Sequence, residues 1–171
     1  MDSIANKQRT SLETSLGTFG AVIGASFGQY LGIHLLAPGI IIVIIALVLK
    51  KWGKASFMPY AGAFSVQAGQ EFWIVLATIL GGQPMKGLPD LVLFGGGLAW
   101  LASRPGVNPL LYLGILQTIM VGFNILTLVH AVHGSLIYKA MMAHVFIRLF
   151  AVVFMLVPIW QLRRTETMSA M

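Results

Sequence analysis

Residues 60–80 read YAGAFSVQAGQEFWIVLATIL, an apolar stretch long enough to cross a bilayer yet carrying two glutamines and a glutamate near its middle. A helix of this length spans about 30 Å, the thickness of a hydrocarbon core. At helical spacing Gln67, Gln70, Glu71 and Thr78 fall within one stripe about 100° wide, with Ala63 and Ile74 completing the face. Phe72, Leu76 and Ile79 lie opposite. The stretch therefore reads as a membrane helix with a lipid-facing side and a polar side turned inward.

The rest of the chain has the same character. Of its 171 residues 57% are hydrophobic and only 9% charged. Soluble domains carry about a quarter charged residues, and a soluble fold of this size would have too little interior to hide so much apolar surface. Apolar segments run over residues 16–36, 40–49, 60–80, 88–102, 108–131 and 138–161. The fold expected is all-α: a polytopic transmembrane bundle of six helices, with helices two and four short. Four or five crossings, with a short segment re-entrant, is the alternative. Residues 1–10 form a polar N-terminal tail, 11–162 the transmembrane domain and 163–171 a polar C-terminal tail.

Local signals set the boundaries. Thr10 and Glu13 fit a capping box that starts the first helix near Ser11. A cleaved signal peptide is the rival reading, but a second apolar segment follows at once. Pro38-Gly39 is read as a break, with Pro38 in the first turn of a short second helix of about 21 Å. Pro89 opens the fourth segment, and Arg163-Arg164 close the sixth.

Charge distribution orients the bundle. With six crossings, one side holds Lys7, Arg9, Lys50, Lys51, Lys54, Arg104, Arg163 and Arg164, and the other only Lys86 and Lys139. Positive residues accumulate on the cytoplasmic side. Both termini are thus expected in the cytoplasm, in a bacterial-type inner membrane. This also accounts for the net charge of +6 without a nucleic-acid partner.

Gly20, Gly24, Gly28 and Gly32 recur every four residues along the first helix, a zipper that lets another backbone approach closely. Packing within the chain is one use. Self-association, or docking on a membrane-complex partner, is the other.

Polar groups are costly in lipid and point to function. Gln117, Asn124 and Thr127 share a face of the fifth helix, and His144 and Arg148 lie one turn apart on the sixth. Counted from the cytoplasmic ends of their helices, Glu71 lies about 16 Å deep and Arg148 about 20 Å. Glu71 and Arg148 are therefore expected to pair at the midplane, directly or through water. Gln67, Gln70, Gln117, Asn124 and His144 complete the substrate-binding or gating set.

Several chemistries are set aside. There is no cysteine, so no disulfide or thiolate metal site. His34, His130 and His133 lie at predicted helix ends without a carboxylate, and neither a metal nor another cofactor is expected. Gly24-Ala25-Ser26-Phe27-Gly28 matches the nucleophile-elbow pattern, but that motif needs a strand, a sharp turn and a helix, and here it lies inside one apolar helix. No catalytic residues are assigned, and no loop is long enough for a globular domain. Size and span number are shared with small six-helix channels for urea or acetate, but architecture does not assign function. The function expected is a small channel or transporter for a polar solute or ion, with its site between helices three, five and six. A non-transporting anchor or assembly subunit of a larger membrane complex is the alternative.

Overall fold

The computed structural model describes the backbone of residues 33–169 and the side chains of residues 36–161, apart from those at 84 and 86. Gly20, Gly24, Gly28, Gly32 and Gln29 lie outside the described residues. Within them the chain is helical, with five α-helices: α1 (Ile33–Trp52), α2 (Ala61–Leu80), α3 (Leu88–Ser103), α4 (Val107–His130) and α5 (Leu136–Ser169). Short 3-10 turns, Ala55–Tyr60 and Pro84–Gly87, lead into α2 and α3.

Two boundaries differ from those expected. Pro38 lies inside α1, a helix of 20 residues, instead of opening a short one. It removes the hydrogen bond to the carbonyl of residue 34 and crowds that carbonyl, yet the aliphatic run 40–49 carries the helix onward. A helix of that length extends about 30 Å. Likewise α5 runs through Arg163-Arg164 to Ser169, 34 residues in all. The arginines end the apolar stretch, not the helix, because residues 162–169 contain neither Gly nor Pro.

The turns between helices have local causes. After α2, Gly82 adopts φ +68°. Its N–H donates to Ile79 O at 3.0 Å and that of Gln83 to Thr78 O at 2.9 Å, a Schellman termination that needs the left-handed residue. Before α5, Gly134 has φ +77°, and the Ser135 hydroxyl accepts the Tyr138 N–H at 3.1 Å as an N-cap.

Among the described residues three helical stretches are long and apolar enough to cross a membrane: Ala55–Leu80, Val107–His130 and Leu136–Gln161. The apolar helix α3 is shorter, at 16 residues. Large apolar side chains face outward along helical stripes: Leu111, Ile115, Ile119, Phe123 and Leu126 on α4, and Leu149, Val153, Leu156 and Trp160 on α5. Such continuous exposed apolar stripes match a lipid solvent better than water.

Neighbouring helices pack α2 on α3, α3 on α4, α4 on α5 and α5 on α2, closing a ring of four, while α1 packs outside on α2. Gly69 makes the α1–α2 approach possible, since a Cβ there would lie 2.9 Å from the Ile42 backbone nitrogen. Apolar residues such as Val66, Phe94, Leu113, Ile147 and Met155 fill the ring interior. The pairs α2/α4 and α3/α5 stand on its diagonals.

Candidate functional site

Both diagonals are bridged by polar side chains. From α4, the Gln117 amide nitrogen donates to Gln67 Oε1 at 2.6 Å and to Gln70 Oε1 at 3.0 Å, both on α2. From α5, Arg148 donates through one terminal nitrogen to Gln117 Oε1 at 2.8 Å and through the other to Asp90 Oδ2 on α3 at 3.4 Å. Gln67 in turn donates to Glu71 Oε1 at 2.9 Å. Gln67, Gln70, Gln117 and Arg148 are buried, and Glu71 is only 3% exposed.

The chemistry of the two ends sets the direction of every bond between them. A guanidinium only donates, and a carboxyl oxygen that carries no proton only accepts. Gln117 therefore turns its oxygen to Arg148 and its nitrogen to α2. Gln67 accepts from Gln117 and must offer its own nitrogen to Glu71. The result is one polarised run, Arg148 to Gln117 to Gln67 to Glu71, in which each amide is oriented by its neighbour. The Phe94 ring, 5.3 Å from the Arg148 guanidinium carbon, covers the cation one helical turn beyond Asp90.

Sequence periodicity foresaw the convergence of Gln67, Gln70, Glu71, Gln117 and Arg148. The expected pair was Glu71 with Arg148. The structure instead gives Arg148 an ion pair with Asp90 and connects it to Glu71 through two glutamines. Asp90 is the residue that sequence reasoning missed. It sits in the first turn of α3 behind Pro89 and looks interfacial by position, yet the 3-10 turn Pro84–Gly87 packs on α2 and brings α3's start against the ring. A usable signal was present: between residues 14 and 165 the chain has two acids, Glu71 and Asp90, and one of them had to answer Arg148.

The other expected members are less central. Asn124 lies two turns beyond Gln117, about 10 Å along α4, with its amide nitrogen buried and without a hydrogen-bond partner among the described residues. His144 is half-buried one turn before Arg148. Outside the cluster, His130 Nδ1 is 2.7 Å from Leu126 O, and the His133 ring packs edge-on against Tyr138 at 4.4 Å. Among the described residues no three of His, Asp and Glu gather as a metal site would require.

The chain matches no family model, curated protein or solved structure.

Three buried polar atoms in the cluster have no hydrogen-bond partner among the described residues: Gln70 Nε2, Glu71 Oε2 and Arg148 Nε. Such atoms cost roughly 1–3 kcal/mol each when left dry. Two are donors and one is an acceptor, so the site is equipped for a small polar guest bearing both kinds of group, or for water.

Proposed function

We propose that the protein is a small integral membrane channel or transporter for a polar solute or ion, and that solute passes the polar cluster within the α2–α5 ring. The observation that carries this reading is the set of unpartnered donors and acceptors on Gln70, Glu71 and Arg148, buried among helices whose outer faces are apolar. Polar groups at such depth mark solute or ion pathways in membrane proteins. A guest satisfies these groups when it binds and releases them when it leaves, the balance that conduction requires.

In this reading the helices cross a bacterial-type inner membrane with both termini cytoplasmic. The support is the gathering of Lys50, Lys51, Lys54, Arg104, Arg163 and Arg164 at one side of an alternating bundle, against Lys86 and Lys139 at the other.

Entry of small polar solutes and ions into vesicles carrying the purified protein tests the reading. Flux above that of empty vesicles, lost in Arg148→Ala, is expected. Wild-type vesicles as tight as empty ones would contradict it.

One observation favours a second reading. Most polar atoms of the cluster satisfy one another across both diagonals, which also locks four helices in register. A non-transporting anchor or assembly subunit would use the cluster in that way. That reading predicts copurification of a membrane partner and loss of assembly in Gly24→Leu.

A further inference from the structure

The cluster holds two carboxylates, Glu71 and Asp90, and one guanidinium, Arg148. With all three ionised its net charge is −1. The cost of an uncompensated charge among side chains as buried as Gln67, Gln70 and Gln117 is several kcal/mol. Among the described residues no second cation answers this charge, and the positions of the partners show where a compensating positive charge goes.

Asp90 is already answered. It holds the Arg148 guanidinium at 3.4 Å and is 18% exposed, so water shares its charge. Glu71 is in the opposite situation. Its Oε1 receives one amide hydrogen from Gln67, its Oε2 receives none from the described residues, and it has almost no exposure.

A metal cation is poorly served there. The nearby amide oxygens of Gln67 and Gln70 both accept from Gln117, and that of Gln117 accepts from Arg148. Each already faces a donor.

The charged groups acting on Glu71 across the packing are Arg148 of α5 and Asp90 of α3. Among the described residues, α1 brings Lys50 and Lys51 only in its last turn, α4 brings His130 only in its last turn, and the 3-10 turn before α2 brings Tyr60. His144 sits one turn before Arg148 on α5.

We infer that Glu71 Oε2 is a proton-binding site: it takes one proton from water, which brings the cluster to neutrality with Asp90 and Arg148 ionised, and returns that proton to water on release. The inference rests on the proposed site but not on permeation. A protein that conducts nothing still carries the proton.

Infrared spectroscopy of the full chain in bilayers at neutral pH tests it. The background is Glu13→Gln with Glu166→Gln, which leaves Glu71 the one glutamate in the sequence. The expected result is a protonated-carboxyl C=O band that moves when glutamate is labelled with carbon-13. Absence of the band, or a band indifferent to the label, overturns the proposal. Asp90→Asn in the same background supplies the second arm. It removes one negative charge and leaves the Glu71 carboxyl in place, so Glu71 ionises against Arg148 and the band disappears at the same pH. A band kept undiminished in Asp90→Asn overturns the charge-balance argument.

Discussion

Arg148 on α5 is held by Asp90 on α3, at 3.4 Å across one diagonal of the helix ring, and reaches Glu71 only through Gln117 and Gln67. The cation thus has one carboxylate as its ion-pair partner and touches the second through a run of amides. Removing different members of this arrangement has different consequences.

Asp90→Ala strips the guanidinium of its ion-pair partner while Arg148 remains 2% exposed. Breaking a buried pair by removing one member costs about 3–5 kcal/mol, more than removing both, and ionisation of Glu71 against Arg148 offsets only part of that cost. Asp90→Ala is expected to unfold well before wild type in detergent, and Asp90→Ala with Arg148→Met to recover part of the loss. Equal stability of the single and double variants would show that the pair contributes nothing.

Gln117 serves three partners with one amide. Gln117→Leu leaves Gln67 Oε1, Gln70 Oε1 and an Arg148 nitrogen without it. Each orphaned group costs about 1–3 kcal/mol where water does not replace the bond. Gln117→Leu is therefore expected to be destabilised more than Thr118→Leu, the next residue along, whose hydroxyl bonds only within its own helix at an exposed position. Thermal unfolding of the two variants side by side measures the difference.

The Gly69 contact separates packing from function. A Cβ there meets the backbone of Ile42, which cannot swing away, whereas a Cβ on Gly96 meets nothing within 4 Å. Overpacking costs about 1–3 kcal/mol, so Gly69→Ala is expected to loosen α1 from α2 and lower stability. Gly96→Ala should leave stability unchanged or raise it slightly, alanine being the better helix former.

Much of this architecture was legible in the sequence. Apolar length located the helices, because each needs enough residues to match a bilayer. Helical periodicity put Gln67, Gln70 and Glu71 on one face, and that face meets Gln117, which in turn holds Arg148. What escaped depended on tertiary placement. The depth of Asp90 follows from how the Pro84–Gly87 turn seats on α2, which no local pattern encodes. Pro38 looked like a breaker, but one lost hydrogen bond did not outweigh ten aliphatic residues behind it. Asn124 shared the correct face of α4 and lay two turns too far along it.

Topology is open to a direct check, because the chain contains no cysteine. Single substitutions Lys54→Cys and Arg104→Cys are expected to react with a membrane-impermeant thiol reagent from the cytoplasmic side, and Ser135→Cys from the other. Labelling of Lys54→Cys and Ser135→Cys from the same side would contradict an alternating bundle.

Solute flux in vesicles, compared between wild type, Glu71→Ala and Phe72→Ala, decides whether the polar cluster is the pathway. Glu71 lies in the ring at 3% exposure, and its neighbour Phe72 faces outward at 58%. If the polar cluster is the pathway, Glu71→Ala abolishes or sharply alters flux and Phe72→Ala retains it, with both proteins folded. Flux that is the same in wild type and both variants would contradict the account.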